Sequence, residues 1–240
     1  MTTIKTCIVA LSALISTATV KAQTADEIIA KHIDAIGGKE KLSQITSVYQ
    51  EQSTQVMGNE GSSTVNILIG KGYKTEINFN GQVLVQVVTD KGGWAINPFT
   101  GATSATAISE DQYKSTENIV YFPDALFNYA AHGATVELLG QEKVGDVNAY
   151  KLKYTNKDSV ANILFIDPNT NYIIKETRSG EMQGQQVEMT YTYSDYKKTD
   201  FGVFVPFLTN VDMGQFSIST TIKKVEFNKP IDPSIFDMPK

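Results

Sequence analysis

The sequence predicts a mainly β protein of the α+β class, built as one strongly curved antiparallel sheet with two or three helices. Three observations carry this. Most of the chain alternates apolar and polar residues with period two, which is the pattern of a strand that is dry on one face. Turn signals recur at Gly58-Asn59, Asn80-Gly81, Gly92-Gly93, Gly145-Asp146, Pro168-Asn169, Gly180 and Gly184, a spacing that suits a meander of long strands. Helical periodicity is confined to two short segments.

The first residues read as a secretory signal peptide over 1–22. Lys5 gives a positive start, the span from Cys7 to Val20 is apolar or small, and Val20-Lys21-Ala22 places small residues at the cleavage-determining positions. That span is shorter than the roughly 20 residues needed to cross a bilayer. Cys7 lies too early to bear a lipid, because no apolar region precedes it. Cleavage after Ala22 leaves residues 23–240, which we expect to form a single unlipidated domain in the periplasm.

That domain contains no cysteine, so neither disulfides nor thiolate metal sites support it, and its stability must come from a packed core. Removing Lys5 and Lys21 moves the formal charge from −5 further to the acidic side, and the sole arginine left among the basic residues is Arg178. Such a surface excludes nucleic acid as a partner class.

The first helix is expected from Asp26 as N-cap, with Ile28, Ile29, His32, Ile33 and Ile36 on one stripe and Gly37-Gly38 as the stop. A second is expected from Pro123-Asp124, through Ala125, Leu126, Phe127, Tyr129 and Ala130, to Gly133; it is apolar on almost all sides and must be buried or sit in a cavity. Between and after these lie strands. Tyr73, Thr75, Ile77 and Phe79 oppose Lys74, Glu76 and Asn78; Tyr150, Leu152 and Tyr154 oppose Lys151 and Lys153; Val187, Met189, Tyr191 and Tyr193 oppose Gln186, Glu188 and Thr190. The run Val83 to Val88 is apolar on both faces, so something must cover each. Either it is a central core strand, or one of its faces looks into a cavity.

Catalytic patterns are missing. The chain has no G-x-S-x-G elbow and no phosphate-cradling glycine motif. His32 and His132 have no ligand partner at a metal spacing and read as structural. Asp167-Pro168-Asn169-Thr170-Asn171 imitates half of a calcium loop, but Tyr172 replaces the required glycine and Arg178 the bidentate acid, so the stretch reads as a hairpin turn. Arg178 itself reads as a surface residue of a strand. No cofactor and no metal are expected.

Four segments together, TADEIIAKHIDAIGGKEKL, DKGGWAINPFTG, LFIDPNTNYIIKETRS and GVFVPFLTN through KKVEFNKPIDPSIFDMPK, resemble the LolA-like outer-membrane lipoprotein-sorting proteins of double-membraned bacteria. The resemblance spans nearly the whole chain after residue 22. It implies a half-open barrel whose concave apolar face is partly plugged by helices. It also implies a monomeric, non-enzymatic carrier of lipoprotein acyl chains or another lipid, working with inner- and outer-membrane sorting components. Some such carriers hold a helical lid closed with an arginine on an early strand; here the early strands, 48–56 and 65–79, contain none. A binding or scaffold module with a packed interior, and a hydrolase, are the alternative readings. If the sheet curves, its apolar strand faces turn inward, and Tyr73, Ile77, Phe79, Trp94, Ile96, Met189, Tyr191, Phe216 and Ile218 are the expected contributors to the cavity wall. For Trp94, core packing competes with that role.

Overall fold

The computed structural model describes residues 23–182 and 185–239. The expected signal peptide and the turn at Gly184 lie outside the described residues. The chain opens with α1 (Ala25–Ala35) and the single turn α2 (Lys39–Leu42). A first meander follows: β1 (Ser47–Val56), β2 (Asn59–Leu68), β3 (Gly72–Phe79), β4 (Gln82–Thr89), β5 (Gly92–Ile96) and β6 (Thr106–Ala107). After α3 (Glu110–Thr116) comes a second: β7 (Thr135–Val144), β8 (Val147–Thr155), β9 (Ala161–Ile166), β10 (Ile173–Met182), β11 (Gln185–Lys198), β12 (Phe204–Asp212) and β13 (Ser217–Phe227).

The strands form one antiparallel sheet in the order β6-β5-β4-β3-β2-β1-β13-β12-β11-β10-β9-β8-β7. Every neighbour in it is also a neighbour in sequence, except that β1 pairs with β13. This pairing joins the two meanders, and a bulge at Glu51/Gln52 shifts its register. A bulge adds local twist and bends a strand. The sheet does not close, because β6 and β7 stand at opposite ends of the order. It does curve: β2 residues Val65 and Ile67 and β8–β9 residues Leu152, Leu164 and Ile166, from distant parts of the sheet, are buried in one cluster with α1. Half-open curvature is therefore a property of this sheet.

The first helix forms where the isoleucine spacing places it, two residues earlier at its cap. Thr24, not Asp26, is the N-cap, and it makes a reciprocal capping box with Glu27. Ile28, Ile29 and Ile33 are buried against the inner face of the sheet. Gly37, at φ 141°, lies where a Cβ would approach Val203 within 2.9 Å, so the chain turns here only through glycine.

The second expected helix does not form as an α-helix. After Pro123 the Asp124 side chain accepts the Leu126 amide at 2.9 Å, an Asx-type turn that competes with helical bonding. Asn128 adopts a left-handed conformation, φ 56°, and only Tyr129–His132 completes a 3-10 turn. Leu126 and Phe127 are nevertheless buried, so the segment plugs the sheet as an irregular apolar loop. An α-helix forms instead at Glu110–Thr116, where Ser109 and Gln112 make a second capping box. Gly180, expected at a turn, lies inside β10 opposite Val187, with the Met189 side chain in the space a Cβ would take.

The doubly apolar strand is β4, and both of its faces are covered from Val85 to Val88, while Val83 at its start is exposed. Val85 and Val87 share a face with Trp94 and are sealed by the C-terminal segment, whose 3-10 turn Pro233–Phe236 places Phe236 in the same small cluster. Val88, on the other face with Tyr73, is also fully buried.

Candidate functional site

Strand register fixes which side chains look inward. Cα partners across a sheet share a face, so Gln50, Val65, Thr75 and Gln86 lie on one side, with Tyr73 and Ile77 on the same face of β3. Across the seam this face continues through Ile222, Thr220, Thr209, Tyr193, Tyr191 and Glu176 to Leu164 and Leu152. Strands of both meanders, the end of α1 and the plug segment then enclose a cavity of about 340 Å³, partly open to solvent. That lies at the small end of the range of about 300–1,000 Å³ for ligand pockets. Its apolar side is built by residues such as Ile36, Ile67, Phe122, Leu164 and Val205.

A polar cluster interrupts this lining. On β10, Glu176 and Arg178 are two residues apart and so point the same way. The Arg178 guanidinium engages the Glu176 carboxylate with two parallel bonds of 2.7 Å, from Nε and Nη2. Glu176 also accepts from the Tyr193 hydroxyl at 2.9 Å and from Asn162 Nδ2 at 3.1 Å. The Tyr191 ring stacks beneath the guanidinium, 4.6 Å from its carbon. Glu176 is 5% exposed and Arg178 31%, so the carboxylate is sealed in while the cation keeps one edge toward the cavity. Desolvation opposes the Arg178 charge, but Glu176 holds its pKa well above the ordinary arginine value. Burial, reinforced by the Glu176 charge, keeps Tyr193 a neutral donor. Desolvation likewise pushes Tyr73 up to about 12.

A second ion pair closes the α1 end. His32 is 1% exposed; Nδ1 donates to the Asn171 carbonyl at 2.7 Å and Nε2 faces the Asp124 carboxylate at 3.0 Å. One ring thus ties the helix to the plug segment and to the β9–β10 turn. Burial disfavours the imidazolium, but the Asp124 charge and the two hydrogen bonds outweigh it and raise the pKa above 6.5. The structural role read for His32 is the one observed. His132 stacks on Tyr121 with ring centroids 3.8 Å apart, and burial lowers its pKa. The Asp167 stretch is a hairpin turn, its carboxylate capping Asn169 N and Thr170 Oγ1.

The expected wall residues fall into separate places. Tyr73 and Tyr191 line the cavity. Ile77, Phe79 and Ile218 belong to the same face but lie beyond its lining, toward the hairpin tips, where Phe79 packs edge-to-face on Phe99 at 6.3 Å. Met189 lies over Gly180, its sulfur 3.9 Å from the Tyr191 hydroxyl. Phe216 sits in the turn before β13, its carbonyl accepting Met213 N. Trp94 and Ile96 are on the opposite face, in the Phe236 cluster, which selects the core-packing reading for Trp94.

Arg178 is the main correction. Its side chain is not on the outer surface but in the cavity, because β10 is phased so that Glu176 and Arg178 face inward opposite Tyr191 and Met189. The available signal was the E-x-R spacing beside a facing strand rich in tyrosine. Among the described residues no cluster of three or more His, Cys, Asp or Glu could hold a metal, and no helix is long and apolar enough to cross a membrane.

No protein-family model and no curated protein sequence matches the chain. Solved structures do match its fold. A LolA superfamily protein from Nitrosomonas europaea aligns at a TM-score of 0.60 and 15% identity, covering 90% of this chain and 98% of its own. A Vibrio parahaemolyticus domain assigned to outer membrane lipoprotein sorting aligns at 0.56 and 13%, covering 88% and 95%. A DUF1329 family protein from Desulfovibrio piger aligns at 0.56 and 12%, covering 90% and 98%. At these identities the likeness is one of fold: the chain has the architecture of LolA-like proteins.

Proposed function

We propose that this protein is a periplasmic carrier that binds the acyl chains of lipoproteins, or another lipid, in the cavity of its half-open sheet and so contributes to outer-membrane lipoprotein sorting. The observation that carries the reading is the cavity itself: more apolar than polar in its lining, partly open, and plugged by a segment pinned through His32 and Asp124 rather than filled by side chains. The fold shared with lipoprotein-sorting and LolA superfamily structures supports the lipid class, and the signal-peptide pattern at residues 1–22 supports the compartment. On this reading the protein is a monomeric binder rather than an enzyme, and Tyr73 and Tyr191 contact the ligand.

Native mass spectrometry of residues 23–240, purified without detergent, tests this. A co-purifying lipid, or uptake of an added acylated peptide, is the expected result. Refusal of every lipid tried would replace the carrier with a binding or scaffold module.

A further inference from the structure

We infer that the cavity selects acyl lipids whose polar end is an uncharged hydrogen-bond acceptor, the carbonyl of an acyl ester or amide, and that Arg178 is the donor that receives it. This rests on the lipid-binding reading above and specifies the ligand's chemistry.

Charge sets the first constraint on the ligand. Among the described residues, two cationic side chains line the cavity, His32 and Arg178, and each already faces a carboxylate, Asp124 and Glu176 respectively. The lining therefore offers no net positive charge to an anion. An ionised carboxylate brought to Arg178 must shed its water and stand beside Glu176, which already holds the guanidinium fork. A neutral carbonyl meets neither penalty.

The geometry supplies the donor. A guanidinium carries five N–H groups in a rigid fork. Glu176 takes one from Nε and one from Nη2, and among the described residues no other hydrogen bond involves the Arg178 guanidinium. The remaining edge belongs to a side chain that is 31% exposed, on the cavity wall, and placed over the Tyr191 ring. Tyr193 and Asn162 anchor Glu176 from behind, so the donor edge is pre-positioned. The Gln50 and Gln52 amides and the Thr209 and Thr220 hydroxyls extend the polar region, while Ile67, Leu164 and Phe122 offer the acyl chain its apolar wall.

The test is equilibrium dialysis of delipidated protein against 1-monopalmitoylglycerol and against palmitate, at a pH well above the carboxylate range. The wild type should bind the ester at least about tenfold more tightly than the acid. Glu176→Gln, which removes the competing carboxylate and leaves Arg178 in place, should shrink or reverse that ratio. Equal binding of the two ligands by wild type overturns the inference and leaves the carrier reading standing; refusal of both overturns the two together. An unchanged ratio in a folded Glu176→Gln protein also overturns it. Should that variant fail to fold, the paired replacement Glu176→Leu with Arg178→Met removes both charges at once, and it should lower ester affinity by at least about tenfold. Undiminished ester binding by this pair sinks the role given to Arg178.

Discussion

Trp94 and Phe236 hold each other on the outer face of the sheet: the indole Nε1 donates to the Phe236 carbonyl at 2.8 Å, and both side chains are buried. The Phe236 ring also covers Gly72, where a Cβ would come within 2.6 Å of it. The C-terminal segment is thus a fitted part of the core. Phe236→Ala should cost about 3–5 kcal/mol, the range for emptying a buried phenylalanine site. Trp94 emission should shift to the red as water reaches the indole. An unchanged denaturation midpoint would show the segment to be loosely attached.

Because Trp94 and the cavity lie on opposite faces, a lipid entering the cavity should leave tryptophan emission almost unchanged while raising the thermal midpoint. At a ligand concentration of one hundred times Kd the stabilisation should be about 2.7 kcal/mol. A large emission change on binding, with no change in stability, would place the ligand at the Phe236 side instead.

His32 makes stability depend on pH with a definite sign. Its folded pKa is raised above 6.5, so the protonated ring stabilises the native state fully below that pH, and the contribution is lost as pH rises through the folded pKa. Over that window stability should fall by up to about 1.4 kcal/mol per pH unit from this group. His132, with a lowered pKa, contributes in the opposite sense, so the quantity to measure is the difference between wild type and His32→Gln. Chemical denaturation at a series of pH values gives it; a difference that grows toward alkaline pH would contradict the pairing with Asp124.

Arg178→Ala leaves Glu176 buried without its cation, and should destabilise by about 3 kcal/mol, the lower end of the range for breaking a buried pair, since a third of Arg178 is solvated. Replacing both residues with apolar ones of similar size should recover most of that loss. A double variant as unstable as the single one would mean that the pair is held by more than charge.

Much of the fold was legible because it is written in period two and in turn residues. The face of β3 that carries Tyr73 and the face of β11 that carries Tyr191 are inward in the structure, as alternation implied. Alternation fixes parity along one strand, however, not how the parities of distant strands are joined. Trp94 was grouped with Tyr73, yet the β4–β5 register pairs Trp94 with Val87 and Gly93 with Val88, which puts Trp94 outside. Arg178 was misplaced for a related reason: a charged residue on a strand is normally wet, and only Glu176, Tyr193 and Asn162 together make an interior position tolerable. The plug segment was found by its composition but misread in form, because the Asp124 and Asn128 backbone preferences outweigh helical periodicity there.

The seam between β1 and β13 also shapes the order in which the molecule assembles. Each meander is a succession of hairpins between sequence neighbours and closes only short loops, whereas Ser47 and Phe227 lie at opposite ends of the sheet-forming chain. Joining them closes the longest loop in the sheet, and native contacts of high sequence separation are slow to form. The cavity spans this seam, with Gln50 and Gln52 on one bank and Thr220 and Ile222 on the other. Folding should therefore complete the binding site last. Pulsed hydrogen exchange should show amides of β8 and β9 protected before those of β1 and β13, and simultaneous protection across the sheet would contradict this sequence of events.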